Sequence, residues 1–300
     1  MYLEHYGLKE QPFSITPDTS FFFSSRSYQE ALNTLLVSIR AGEGFIKITG
    51  EVGTGKTLLC RKFMASLGPE FMIAYVPNPY LEPQALLMSL INELSLKISD
   101  KPNQYQIMKV LNYGLLGIAE AGKKVVVCLD EVQAMPIETL EALRLLSNLE
   151  TEKRKLIQVV IFGQPELDQK LNHPSIRQLK QRITFDYQLD RLTRDEVHYY
   201  VNHRLMIAGY KGGRLFSPSS LNILYRRAKG IPRLVNILAH KAMLVAYGKG
   251  KGQIDAQDVR LAAADTQSTK LSNHFNIILS PFILVLFAST FSAILWLLFK

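Results

Sequence analysis

The chain has 300 residues, 47% of them hydrophobic and only two of them cysteine, which suits a packed core in one large or two smaller domains and excludes large-scale disorder and a disulfide framework. Lysine and arginine number 35 against 26 acidic residues, a net charge of +9. That balance favours phosphates, nucleic acid or anionic lipid as neighbours without choosing among them.

The first residues, MYLEHYGLKE, carry early charges and no apolar stretch, so no signal peptide is expected. Phe45 to Thr49 then reads as a short buried strand. It runs into Gly50-Glu51-Val52-Gly53-Thr54-Gly55-Lys56-Thr57, which fits GxxxxGK followed by Ser or Thr, and then into Leu58, Leu59 and Phe63, apolar at helical spacing. In a strand, loop and helix of this kind the glycines let backbone N–H groups from Gly50 through Leu58 close on phosphate oxygens. The helix N-terminus adds a positive dipole end, Lys56 a point charge and Thr57 a hydroxyl for Mg²⁺. No NKxD segment of the GTPase kind is present, so the expected ligand is ATP with Mg²⁺.

A second strand is expected at residues 71–76 and a third at 123–129, where KKVVVCL has the continuous apolar run of a strand covered on both faces. Asp130 and Glu131 emerge at its C-terminal end. By the logic of P-loop enzymes Asp130 holds Mg²⁺ through water while Glu131 polarises the attacking water. Cys60 and Cys128, without CxxC spacing and inside apolar stretches, read as reduced structural residues. Leu156 to Phe162 is a fourth strand, with Gln164 at its mouth. Spacing leaves two roles open for Gln164: orienting the water and sensing the γ-phosphate, or capping the turn made by Gly163 and Pro165. With a fifth strand at 183–189, residues 1–190 describe a five-stranded parallel α/β sheet whose ligand lies at the C-terminal edge of the strands.

Beyond Leu189 the strand signals stop. Thr193-Arg-Asp-Glu196 is a capping box that opens a helix through about Ala208. Further helices are expected over 219–229, 232–247 and 255–264, giving a small helical unit at 191–265. Arg233, in GIPR at the start of one of them, either reaches back to the phosphates or sits on a solvated face. Residues 266–276 form a polar linker. Ile277 to Phe299 carries no charge and exceeds the roughly 20 residues that a helix needs to cross a bilayer. Ser280 and Pro281 read as N-cap and first helical residue, and Trp296 lies near the far interface. A single C-terminal transmembrane helix at 277–299 is expected, with everything before it on the cytoplasmic side.

MYLEHYGLKEQPFSITPD, GEVGTGKT, VVVCLDE, LRLLSNLET, FGQPEL, IRQLKQRI, LTRDEVHYYVNHRL and GIPRLVN together resemble the AAA+ ATPases of the general secretion pathway protein A (ExeA) family, most closely those that serve MSHA pilus biogenesis. The resemblance covers roughly residues 1 to 265. It implies an ATP-hydrolysing sheet domain with a helical lid, a homo-oligomer anchored in the inner membrane beside pilus or secretion assembly proteins. Carried over by residue, Lys56 and Thr57 match the Walker A pair, and Asp130 and Glu131 the Walker B pair. Gln164 fits the sensor-1 position, where many relatives have asparagine. Arg233 matches the sensor-2 arginine, Arg182 or alternatively Arg177 the arginine finger given to a neighbouring subunit, and Pro12 and Phe13 the segment that covers the adenine base. Asn78 is a weaker match to the residue that switches the catalytic glutamate. Longer members continue into a peptidoglycan-binding region; this sequence stops at Lys300, so wall binding is not expected. The alternative is a DNA-associated ATPase of the transposition or initiator type, with Arg226, Arg227, Lys229, Arg233, Lys241, Lys249 and Lys251 as its footprint. The nearness of those charges to the bilayer fits anionic headgroups as well, and nucleic acid is not the expected partner.

Overall fold

Five apolar runs form the strands β1 (Phe45–Gly50), β2 (Phe71–Val76), β3 (Lys124–Leu129), β4 (Ile157–Gly163) and β5 (Phe185–Leu189) in a computed structural model that describes residues 2–77, 80–150 and 155–266. All pair in parallel, in the order β2-β3-β4-β1-β5. Each expected strand is present within two residues of its expected bounds. β5 starts late because it is an edge strand with one neighbour: Thr184 already donates to the Phe45 carbonyl at 2.9 Å, but regular pairing begins only at Phe185. The register sets Thr49 opposite Gly163 and Leu129 opposite Ile161. The loops after β1, β3 and β4 therefore leave from one edge.

Helices α1 (Tyr2–His5) and α2 (Arg26–Ala41) precede the sheet. Between the strands come α3 (Lys56–Ala65), α4 (Pro83–Glu93), α5 (Gln104–Glu120), α6 (Ile137–Leu146), α7 (Glu166–Leu171) and α8 (Arg177–Arg182). Side chains alternate across the strands. Ile46, Ile48, Val126, Val160 and Phe162 pack with α2 and α3, and Phe45, Val125, Val127, Val159 and Ile161 pack with α4, α5 and α6. Cys60 and Cys128 are free and buried on the first of these faces, where the hydrogen bond between them, with burial, pushes the Cys60 thiol up.

The helical unit consists of α9 (Arg194–Ile207), α10 (Pro218–Ala228), α11 (Pro232–Gly248) and α12 (Ala256–Ala264). Thr193 and Glu196 close the expected capping box reciprocally. The sequence groups the N-terminal residues with the sheet, but Tyr2, Tyr6, Leu8, Phe13 and Phe21 are buried in the core of the helical unit. The reason is area: five large apolar side chains find a shared interior among α9, α11 and α12 that the already covered sheet does not offer. Among the described residues no helix is long and apolar enough to cross a membrane. The expected span at 277–299 and Asn78 lie outside the described residues.

The contact between the segment after β5 and the turn before α11 depends on Gly230. Its φ is +73°, and an added Cβ would lie 2.1 Å from the Leu192 carbonyl oxygen, while the Leu192 N–H donates to the Gly230 carbonyl at 2.9 Å. Left-handed backbone and overpacking together give an expected loss of about 2–4 kcal/mol for Gly230→Ala. A urea midpoint unchanged from wild type would contradict this.

Candidate nucleotide-binding site

At the C-terminal edge of β1 the chain turns through Gly53 (φ +82°) and Gly55 (φ +101°) before α3 begins at Lys56. Lys56 is buried, and its Nζ donates to the carbonyls of Gly50 at 2.8 Å and Glu51 at 3.0 Å. Gly55 is held from behind by the Tyr28 hydroxyl, which donates to its carbonyl. A Cβ at Gly55 would lie 2.4 Å from that hydroxyl, so glycine is required on both backbone and packing grounds. Burial raises the Tyr28 phenol, keeping it a neutral donor.

Strand β3 delivers Asp130 beside this loop. The Thr57 hydroxyl donates to Asp130 Oδ2 at 2.6 Å and the Glu131 N–H to Oδ1 at 2.9 Å. Burial pushes the Asp130 carboxyl up against the pull of those two bonds. Burial likewise pulls the Lys56 ammonium down, opposed by Glu131 and Asp130. Burial thus works against both charges, while the attraction between Lys56 and Asp130 works for them. Thr57 and Asp130 supply two hard oxygen donors, and among the described residues no cluster of three or more His, Cys, Asp or Glu forms an all-protein cage. This fits Mg²⁺, which keeps waters and shares phosphate oxygens. Held by Thr57 and Asp130, the ion would offset charge on the phosphates.

Glu131 has φ +56°, a left-handed conformation uncommon outside glycine. Its Oε2 accepts from Gln164 Nε2 at 2.9 Å and from Gln133 Nε2 at 2.6 Å. Gln164 therefore sits against Glu131. Gln133 escaped the sequence reading, although DEVQ placed a second amide two residues after the glutamate.

The lid closes the other wall. The Arg233 N–H donates to the Gly53 carbonyl at 3.1 Å, and a Cβ on Gly53 would lie 2.6 Å from Arg233 Cβ. Arg191, after β5, pairs with Glu51 of the loop. Between them lies a cleft of about 310 Å³ whose lining includes Val52, Lys56, Thr57, Leu58, Glu131 and Arg233. Of the segment expected over the base, Pro12 gives its carbonyl to Arg204 and the Phe13 ring stacks edge-on to Phe216 inside the lid. Neither lines the cleft; residues Ser14 to Asp18 do. The cause is a buried network unread in the sequence. The Arg204 guanidinium lies 4.6 Å from the Phe21 ring centroid and donates to the Tyr200 hydroxyl. Tyr200 donates to Asn236 Oδ1, and Asn236 Nδ2 to the Ser14 carbonyl. Arg204 lies on the same α9 face as the buried Val197, Tyr200 and Val201; a charge on that apolar stripe was the available signal.

Arg182 and Arg177 do not line the cleft of their own chain. Arg182 Nη1 donates to the Ser147 carbonyl and hydroxyl at 3.1 and 3.0 Å, and Arg177 is exposed at the start of α8.

A phosphate loop, an Asp–Glu pair on the adjoining sheet edge and a lid arginine around one cleft are the parts of an AAA-type P-loop nucleotide site. In agreement, a family profile described as an AAA domain matches residues 39–171. Within that class the chain is a relative of general secretion pathway protein A. It is 40% identical to the Aeromonas hydrophila protein over 270 residues, 90% of this chain, but spans about half (49%) of that longer protein. The fold is also that of Cdc6p from Pyrobaculum aerophilum, with TM-score 0.65 and 19% identity over 82% of this chain and 70% of that one. The Thermotoga maritima RuvB Holliday junction branch migration motor has TM-score 0.57 and 15% identity over 84% of this chain and 73% of that one.

Proposed function

We propose that this chain is an inner-membrane ATPase that uses ATP binding and hydrolysis to support assembly of a type IV, MSHA-like pilus or a type II secretion apparatus. The reading is supported by a cleft between sheet and lid that gathers Lys56, Thr57, Glu131 and Arg233, in a chain 40% identical to general secretion pathway protein A over 270 residues. Lys56 and the loop amides hold the triphosphate, Glu131 takes a proton from the attacking water, and Arg233 meets the phosphates from the lid. Gln164 keeps Glu131 in place. Arg182 of an adjoining copy, with Arg177 as the alternative, offsets charge in the transition state, a contribution of roughly 10³–10⁵ in rate for arginine fingers. Copies of the chain therefore switch one another on as they assemble. The C-terminal run from Ile277 fixes this ATPase to the bilayer, with the cleft on the cytoplasmic side.

The alternative, a DNA-associated ATPase, needs a free basic surface. Of its seven cations, Arg233 faces the cleft, Lys241 pairs with Asp265, Lys249 with Asp258, and Lys251 with Asp255 and Asp258. Arg226, Arg227 and Lys229 remain, at the end of α10. Three cations give a shallow salt dependence and weak binding, which favours the membrane reading.

Expressed full-length in a bacterium, the chain is expected to stay with inner membranes through an alkaline wash. Detergent extracts should co-purify pilus or secretion assembly proteins, and Lys56→Ala should change that set. Recovery in the aqueous fraction together with salt-dependent duplex binding would replace this reading with the alternative.

A further inference from the structure

We propose that Gln133 is a positioning residue for hydrolysis: with Gln164 it forms a two-amide clamp that fixes which oxygen of Glu131 faces the attacking water. The inference rests on the reading that Glu131 activates that water.

The clamp is built from the backbone upward. The left-handed Glu131 opens a 3₁₀ turn over Val132–Ala134, closed by the Ala134 N–H on the Glu131 carbonyl at 3.0 Å. Val132 and Met135 anchor the turn in the core, each fully buried. The turn carries Gln133 back over the ends of β3 and β4, where both ends of its amide are used. Oε1 accepts the Gln164 backbone N–H at 3.0 Å, and Nε2 donates to Glu131 Oε2 at 2.6 Å. A backbone N–H can only donate, so the oxygen of Gln133 has to face it and the NH₂ has to face Glu131. The orientation of the amide is thereby determined.

Gln164 Nε2 adds a second donor to the same oxygen at 2.9 Å. Two neutral amides converge on Oε2, and neither reaches Oε1. Glu131 lines the cleft, and Oε1, the oxygen that neither amide holds, is the one we assign as proton acceptor. A lysine or arginine in place of Gln133 would neutralise the carboxylate charge, and a carboxylate would repel it; an amide does neither. Because Gln133 also grips the backbone of residue 164, a movement at the mouth of β4 reaches Glu131 by two routes at once.

The test uses the full-length chain and two substitutions of similar size. Gln133→Met removes donor and acceptor; Gln133→Glu keeps the acceptor and sets a like charge against Glu131. For Gln133→Met we expect kcat to fall about ten- to a hundredfold, and further for Gln133→Glu. KM, the dissociation constant for a fluorescent ATP analogue and Tm should stay within about twofold or 2 °C of wild type, as for a residue that acts on one bound state rather than on folding. Pairing Gln133→Met with Gln164→Met should cost less than the product of the two single losses, as for groups in one network. A Gln133→Met enzyme with unchanged kcat, beside an inactive Glu131→Gln, overturns the clamp alone. Parallel loss of affinity and Tm assigns Gln133 a structural role and also overturns it. Parental hydrolysis by Glu131→Gln removes the reading beneath it.

Discussion

Glu131→Gln is expected to lose hydrolysis about 10²- to 10⁴-fold, the range over which a positioned general base acts, while still binding ATP. On the proposed mechanism the carboxylate accepts a proton from the attacking water. The replacing amide keeps its volume and its place between Gln133 and Gln164, but is far too weak a base to take the proton. Binding should survive because the groups proposed to face the phosphates are elsewhere: Lys56 and the loop amides after β1, with Thr57 held on Asp130. The expected signature is undiminished titration by a fluorescent ATP analogue beside almost no phosphate release. Phosphate release at the parental rate would remove Glu131 from the mechanism.

Lys56→Ala should instead abolish binding. Lys56 is the cation whose charge Glu131 and Asp130 favour inside the cleft. Without it, two carboxylates face a triphosphate with no ammonium between them, and the carbonyls of Gly50 and Glu51 lose their shared donor. The readout is thermal. A ligand present at a hundred times its dissociation constant stabilises the folded state by about 2.7 kcal/mol, so Mg-ATP should raise the Tm of the wild-type chain and leave that of Lys56→Ala unmoved. Equal shifts in both would place the nucleotide elsewhere.

Much of this was legible in the sequence because its signals are local. KKVVVCLDE states both the burial of β3 and the carboxylates at its end. The spacing from Gly50 to Thr57 specifies a loop of bare amides, and Thr193 with Glu196 marks the start of α9 to the residue. What escaped joins residues far apart in the chain. Arg204 meets Pro12 across 192 positions, and Asn236 meets Ser14 across 222. No periodicity carries such pairings, so the docking of the N-terminal segment on the lid, and the passage of the cleft lining from Pro12 and Phe13 to the residues after them, became visible only in three dimensions. Tyr28 behind Gly55 belongs to the same class. Gln133 was missed for a different reason: it is close in sequence, but its direction depends on the left-handed backbone at Glu131, which side-chain identity does not announce. The order of the strands was likewise outside the reach of pattern, since parallel neighbours are chosen by crossover connections rather than by period.

Single-turnover hydrolysis, with the wild-type chain in excess over γ-labelled ATP and Mg²⁺, tests most directly whether the cleft turns nucleotide over rather than merely holding it. The arrangement of Lys56, Glu131, Gln164 and Arg233 predicts that the bound label leaves as phosphate in one exponential phase, which Glu131→Gln suppresses. Bound ATP recovered intact from the wild-type chain after long incubation would contradict it.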